Sequence, residues 1–241
     1  MPANVFFREG HMLSSFKNLS KFELVLWLAS VAIIIFSGVL IGKDALTAAA
    51  SIVGVTALIF IAKGDVLGQI LTIVFALLYG VISYKFRYWG ELITYVGMTA
   101  PTAGAAAVTW IKNPYAKHEV KISPITKTKI AAVIVLTSAV TALFYFILRA
   151  LNTPNMLFST ISIATSFSAA FLLVMRIPLY AICYAANDLV LIVLWVLAAM
   201  TDISYFAMII CFSIFFINDI YGFVNWRKMA RRQLTKNGGE Q

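Results

Sequence analysis

The sequence predicts an all-α integral membrane protein with about eight spanning helices. Two observations carry this. The 241 residues are 61% hydrophobic with a mean hydropathy of +0.90, and 12% are charged. That charge content is about half of the ~25% usual in a soluble domain, so the chain has too few polar groups to cover its surface in water. The second observation is spacing. A spanning helix needs about 20 apolar residues, and eight such runs follow one another, at roughly 24–42, 45–62, 66–84, 89–110, 128–148, 155–174, 178–200 and 203–225.

The first run follows a polar segment of more than 20 residues, lacks a clear cleavage site and is followed almost directly by a second run. It therefore reads as a helix and not as a signal peptide. Most connectors are a few residues long: GK at 42–43, KGD at 63–65, KFR at 85–87 and MTD at 200–202. The longest, about 112–127, contains Pro114 and Pro124 and much of the positive charge. Cys183 and Cys211 both fall inside predicted helices, which argues for packing and against a disulfide framework.

The net charge of +9 is explained by its placement. Of the 19 Lys and Arg residues, 15 fall on alternate segments beginning with the N-terminal tail, and 4 on the segments between. The positive-inside rule then places both termini in the cytoplasm. The basic stretches 112–129 and 227–236 are juxtamembrane, so they read as topology signals and headgroup contacts and not as nucleic-acid sites.

A weak internal repeat is visible. The fourth run ends TWIK (109–112) and the eighth ends NWRK (225–228), 116 residues apart. Runs 2–4 and 6–8 form two triplets, with run 5 as joiner and run 1 as an appendage. An odd-numbered repeat followed by one extra crossing gives a parallel repeat. The expected organisation is a cytoplasmic tail (1–23), an extra helix (24–42), a first three-helix repeat (43–111), a basic connector with the joining helix (112–150), a second three-helix repeat (151–226) and a basic cytoplasmic tail (227–241). The extra helix reads as an oligomer contact, a lid against lipid or a topology device. Within run 4, Pro101 sits mid-helix with Gly97 and Gly104 around it. The small residues there read either as close packing or as a hinge.

A charge within a spanning helix costs about 2.5–3.5 kcal/mol on insertion scales, so the acidic residues matter. Asp44, Asp65 and Asp202 fall at helix ends and read as solvated groups or N-caps. Glu91 lies one turn inside run 4 and is ambiguous. Asp188 and Asp219 lie deep in runs 7 and 8. Tyr180, Tyr184, Asn187, Asp188, Leu191 and Trp195 recur at spacings of three and four and share one helical face. In run 8, Asn218, Tyr221, Gly222 and Asn225 share one stripe, and Asp219, Gly222 and Trp226 the next. Such groups either join helices, at about 0.6 kcal/mol per pair, or line a cavity for a flat polar ligand. Two Asn-Asp pairs, each flanked by aromatics, favour the cavity. No GxSxG, HExxH or Walker loop is present, and His11 and His118 lie in the polar tail and the connector without Cys, Asp or Glu at metal-ligand spacing. No enzyme chemistry, metal or cofactor is expected.

Three stretches resemble the PnuC family of vitamin transporters, best known for nicotinamide riboside uptake. They are FFINDIYGFVNWRKMARRQ (215–233), LLYGVISYKFRYWGE (77–91) with Pro101 and Trp110 beyond it, and Asn187, where the family has the asparagine of a Trp-x-x-Trp-x-x-x-Asn pattern. The resemblance implies a 3+1+3 arrangement similar to the SWEET sugar transporters, and uptake by facilitated diffusion with cytosolic phosphorylation trapping the riboside for NAD biosynthesis. The two family tryptophans fall on Tyr180 and Cys183, and Ala103 and Ala107 stand where the family often has glutamine and aromatics. This implies a rebuilt or larger pocket.

The expected site then has Tyr180, Tyr184 and Trp195 stacking on the ring and Asn187, Asn218 and Asn225 bonding ribose or carboxamide. Asp188 and Asp219 would oppose the positive charge, with Gln69, Tyr79 and Tyr95 from the first triplet. Partners are the small-molecule substrate and the plasma-membrane bilayer, with a homo-oligomer open. The alternatives are a proton-coupled carrier of thiamine, riboflavin or a purine nucleoside, or a non-transporting membrane subunit.

Overall fold

The protein is described by a computed structural model covering residues 11–41, 45–85, 89–153, 155–201, 203 and 206–238. Asp44 and Asp202 lie outside the described residues. The helices are α1 (His11–Lys17), α2 (Lys21–Ile41), α3 (Ala45–Lys63), α4 (Val66–Lys85), α5 (Trp89–Leu92), α6 (Ala100–Lys112), α7 (Lys127–Ala150), α8 (Met156–Val174), α9 (Tyr180–Ala199) and α10 (Phe206–Gly238). A short hairpin, β1 (Pro114–Ala116) with β2 (Glu119–Val120), lies between α6 and α7. The chain is thus an all-α membrane protein apart from this hairpin.

Seven described helices are long and apolar enough to span a bilayer, against the eight runs in the sequence. The difference is run 4. It is one path broken into α5, a π-helical segment Ile93–Thr99, and α6. Pro101 has no N–H and crowds the preceding turn. The backbone widens ahead of it, and the Ala100 N–H bonds to Tyr95 O, five residues back. Thr102 Oγ1 donates to Met98 O at 2.7 Å and to Thr99 O at 3.0 Å, covering carbonyls in the widened turn. Hydroxyls commonly take this role where a spanning helix is interrupted.

Local chemistry sets the other helix ends. Ser20 and Glu23 form a capping box: Ser20 N–H donates to Glu23 Oε2 at 2.6 Å, and Glu23 N–H to Ser20 Oγ at 3.3 Å. Glu23 also pairs with Lys63 Nζ at 2.9 Å and accepts from the Tyr221 hydroxyl at 2.7 Å. Trp27 Nε1 donates to Thr56 Oγ1 at 2.9 Å. The extra helix is therefore tied to α3 and α10. α3 and α8 end the same way. Gly64 (φ +73°) and Arg176 (φ 61°) each take the left-handed position, and Asp65 N–H and Ile177 N–H reach back to Phe60 O and Leu172 O. This is the Schellman ending, for which glycine is the unstrained choice.

Two tail segments are more ordered than the sequence suggested. Residues His11–Lys17 within the expected tail are helical, and Phe16 packs edge-on against Trp27 and Phe60. The last helix continues through the basic tail to Gly238. The hairpin gathers the segments of one face. Ser15 Oγ donates to Asp65 Oδ2 at 2.7 Å, and His118 Nδ1 lies 2.9 Å from the same oxygen. Val120 N–H donates to Gly64 O, Ser123 N–H to Arg176 O, and Gln233 Nε2 to Val120 O. Asp65 is also the N-cap of α4, accepting from Leu67 N–H at 3.0 Å. It is a buried cap and not a solvated group. The fold brings His118 to an aspartate from which it is 53 residues distant in sequence.

α6 packs on α8 and α10 on α3, so the closing helix of each half lies on the opening helix of the other. α2 and α7 hold Phe22, Leu28, Phe36, Ile134, Leu143 and Phe146 outward, as helices do when lipid surrounds them.

Candidate functional site

A cavity of about 690 Å³ runs through the bundle from its middle to the end opposite the hairpin. Exposed Asn152, Asn155 and Thr201 form part of its rim. Its wall draws on α3, α4, the broken α5–α6 path, α8, α9 and α10.

The face read from α9 spacing is the one turned to this cavity. Tyr184, Asn187, Asp188, Leu191 and Trp195 all line it. Asn187 Oδ1 accepts from Ser162 Oγ and Thr165 Oγ1, each at 3.0 Å. With its carbonyl held by two hydroxyls of α8, its N–H groups are the donors turned to a ligand. Asp188 and Asp219 are buried, at 4% and 5% exposure, and both line the cavity, from the packed helices α9 and α10. Gln69 lines the opposite wall at 1% exposure, and neither of its amide atoms has a partner. A buried amide with no partner costs about 1–3 kcal/mol, a cost that a polar ligand removes.

Tyr95 lines the cavity from the π-helical segment. Tyr79 stands behind it, ring centroids 4.3 Å apart, and does not reach the wall. Three further expected residues lie outside the wall. Tyr180 is buried beneath the cavity against Trp226, with centroids 4.7 Å apart. Asn218 turns to α2, its Nδ2 donating to Ile214 O at 2.9 Å with Ser30 Oγ 3.5 Å away. Asn225 donates to Ala62 O at 2.8 Å. The Asn218, Tyr221, Gly222, Asn225 stripe therefore joins α10 to α2 and α3, while the next stripe carries Asp219 to the cavity. Helical spacing places residues on a stripe but does not say which stripe faces which neighbour.

Glu91, left ambiguous in sequence, lines the wall, as do Phe75, Phe212 and Phe215. The phenylalanines pack edge-on, Phe75 to Tyr95 at 5.8 Å and Phe212 to Phe215 at 5.6 Å. Nothing in the sequence separates them from lipid-facing phenylalanines. Of the hinge residues, Pro101 and Gly97 are exposed. A Cβ on Gly104 would meet nothing within 4 Å, and one on Gly97 only Ile93 Cγ2 at 3.8 Å. Close helix packing therefore does not require either glycine; the buried small residues are Ala103, Ala106 and Ala107.

The hairpin end is sealed by an apolar cluster of Ile61, Trp110, Val120, Leu172, Leu173, Ile177, Tyr180 and Trp226. Cys183 packs beside it. Within the seal, Trp110 Nε1 donates to Leu173 O at 3.1 Å and Thr109 Oγ1 to Val174 O at 3.0 Å. In the same pattern, Trp226 Nε1 donates to Ile61 O at 2.9 Å and Asn225 Nδ2 to Ala62 O. These are carbonyls in the last turns of α8 and α3, of which Ile61 O and Leu173 O also accept from Gly64 N–H and Arg176 N–H.

A membrane-spanning helical bundle around a cavity lined by apolar, aromatic and a few buried polar side chains, open at one end and sealed at the other, has the form of a membrane transporter. Over residues 44–228 the chain matches the family described as nicotinamide mononucleotide transporter, and it belongs to that family. It is a transporter and not an enzyme. Among its relatives are two proteins named nicotinamide riboside transporter PnuC. The one from Neisseria mucosa is 21% identical over 193 residues, 78% of this chain and 73% of that protein. The one from Haemophilus influenzae is 23% identical over 215 residues, 88% of this chain and 92% of that protein. A solved structure titled as the crystal structure of the vitamin B3 transporter PnuC matches with a TM-score of 0.77 at 20% identity, covering 90% of this chain and 94% of that one, and establishes the shared fold.

Proposed function

We propose that this protein carries nicotinamide riboside, and not its 5′-phosphate, across the cell membrane. One observation carries the choice. Glu91, Asp188 and Asp219 line the cavity, and no Lys, Arg or His does so among the described residues. The riboside is a monocation. The mononucleotide adds a phosphate of charge about −1.5 to −2, which such a wall repels and offers no cation to hold. Tyr95, Tyr184, Trp195 and Phe215 supply ring faces that attract a pyridinium. Asn187 and Gln69 supply amide groups for the ribose hydroxyls or carboxamide.

Both termini lie in the cytoplasm in this reading, because 15 of the 19 basic residues in the sequence fall on the N-terminal tail and the alternate segments after it. The cavity then opens outward and the tryptophan seal faces the cytosol. The matched endings of α3 and α8, and their matched donors from α10 and α6, support two parallel three-helix repeats joined by α7. Alternating access is a rocking of these repeats that opens the seal and closes the rim, with the π-helical segment ahead of Pro101 as the flexible point. Net uptake is facilitated diffusion drawn inward by consumption of the riboside.

The test is uptake into liposomes holding the purified protein, with no ATP and no pH gradient. Labelled nicotinamide riboside is compared with nicotinamide mononucleotide, thiamine, riboflavin and a purine nucleoside. Saturable riboside uptake with none of the mononucleotide is expected. Preference for the mononucleotide, or for a neutral nucleoside, overturns the reading.

A further inference from the structure

We propose that Ser162 is a positioning residue of the transport site: its hydroxyl holds the carbonyl of Asn187 against α8, so that the Asn187 amide meets the ligand only as a hydrogen-bond donor. The proposal deepens the riboside reading, on which it rests for the identity of the ligand. It names the residue that fixes which end of the Asn187 amide faces the substrate, and therefore which ligand group can lie there.

The hydroxyls of α8 are used in two ways. Thr160, Ser166 and Ser168 donate to carbonyls of their own helix, Met156 O at 2.7 Å, Ile163 O at 3.3 Å and Ala164 O at 2.8 Å. This is the ordinary use of a hydroxyl inside a helix. Ser162 instead donates across to α9, to Asn187 Oδ1 at 3.0 Å. Thr165 stands on the same face, and its single hydrogen has three acceptors in range: Ile161 O at 2.9 Å, Ser162 O at 3.1 Å and Asn187 Oδ1 at 3.0 Å. Ser162 is thus the committed donor and Thr165 a shared one. Ser162 and Asn187 both line the cavity, so the bond between them is part of the wall.

The two ends of an amide side chain are nearly alike in shape, and either fits the same space. What fixes the orientation is the partner. With its oxygen on Ser162, Asn187 turns its N–H groups to the cavity. The reverse orientation removes the acceptor of Ser162 and turns the amide oxygen into a wall that already carries the carboxyls of Glu91, Asp188 and Asp219. Gln69 across the cavity is the contrast: both of its amide atoms are without a partner, so it can present either end. The site therefore joins a fixed donor on α9 to an amide on α4 that adapts. A ligand acceptor, either a ribose oxygen or the carboxamide oxygen, fits opposite Asn187, and the carboxamide N–H groups are left to Gln69 and the carboxyls. An amide set before the ligand arrives loses less freedom on binding.

The experiment measures calorimetric binding of nicotinamide riboside to wild type, S162A, N187A, S162A/N187A, S162T and T165V. Ser162→Ala is expected to lose about fivefold in affinity. Ser162→Thr keeps the hydroxyl and should bind within about twofold of wild type, and Thr165→Val should lose less than Ser162→Ala. In the Asn187→Ala background, removing the Ser162 hydroxyl should cost nothing further, within about twofold. The full loss repeated in that background overturns the proposal, because Ser162 then acts on the ligand without Asn187. Ser162→Ala with wild-type affinity, Ser162→Thr as weak as Ser162→Ala, or Thr165→Val weaker than Ser162→Ala overturns it too. The second readout needs no ligand. Isotope labelling of the asparagine side-chain carbonyls gives an infrared band for Asn187, isolated by subtracting the spectrum of Asn187→Ala. A carbonyl that loses a hydrogen bond stiffens, so the band should move to higher frequency in S162A and stay in place in S162T. A band that does not move in S162A overturns the proposal. A band that moves as expected in a protein that does not bind the riboside overturns the proposed substrate and leaves the held amide standing; the affinity arms are then read with the compound of the uptake panel that the protein carries.

Discussion

Trp110 and Trp226 stand with ring centroids 5.5 Å apart, and each donates its indole N–H to the end of the helix that opens the other half of the molecule. Both are almost fully buried, at 1% and 0% exposure. Opening the sealed end breaks both bonds and uncovers the ends of α3 and α8.

Replacing either tryptophan with phenylalanine keeps the ring and removes the donor. Each lost bond weakens the seal by about 1 kcal/mol, which is roughly a fivefold shift toward the opened state. Cys183 packs at this seal, so its labelling by a membrane-impermeant thiol reagent applied from the side of the termini should speed up by a similar factor in Trp110→Phe and in Trp226→Phe. Unchanged labelling in both would show that the seal does not depend on these bonds.

Pro101→Ala restores the backbone N–H and removes the cause of the widened turn. A regular helix through Ile93–Thr99 rotates the residues that now line the cavity, among them Thr94, Tyr95, Met98 and Thr99. The expected result is a transport rate several-fold lower, with the thermal midpoint unchanged or raised, because helix propensity improves by about 3 kcal/mol per proline removed from an interior. Unchanged rate and affinity would remove the hinge from the mechanism.

Asn187→Ala should weaken riboside binding about 5- to 30-fold, the effect of about 1–2 kcal/mol for one lost donor and the Ser162 hydroxyl left without its acceptor. Calorimetry on the purified variant measures it. Asn225→Ala, at a residue outside the cavity wall, should leave binding intact and lower the thermal midpoint, because it uncovers Ala62 O.

Two glycines separate packing from tolerance. A Cβ on Gly68 would lie 2.5 Å from Ile61 N, a backbone atom of α3 that cannot move aside. Gly68→Ala should fail to give folded protein or lower its thermal midpoint steeply. Gly104→Ala meets no atom within 4 Å, and in a helix it should be neutral or stabilising by up to about 1 kcal/mol. Fluorimetric melting of both variants in detergent checks the pair.

The sequence by itself determined that the chain crosses the membrane many times, how its basic residues divide between alternate segments, and which side of α9 faces the cavity. These are properties of spacing and composition, and they hold locally. Hydrophobic length marks a span, and a recurrence of three and four marks a helical face. The proline in run 4 was equally legible, but its consequence was not. Whether a proline bends, kinks or widens a helix depends on whether nearby hydroxyls such as Thr102 can take up the freed carbonyls.

Only the tertiary structure decided which face meets which partner. Asp219 and Asn218 are neighbours in sequence, yet one faces the cavity and the other faces α2. Tyr180 has the stacking chemistry of a ligand contact and lies one turn too deep, inside the seal. Phe75, Phe212 and Phe215 entered the wall without any distinguishing mark, because a phenylalanine turned to lipid and one turned to a ligand satisfy the same hydropathy. Gln69, Asp188 and Asp219 come together only when α4 lies across from the α9–α10 pair. Their common place on the wall of one cavity is a property of the assembled bundle that no single helix contains.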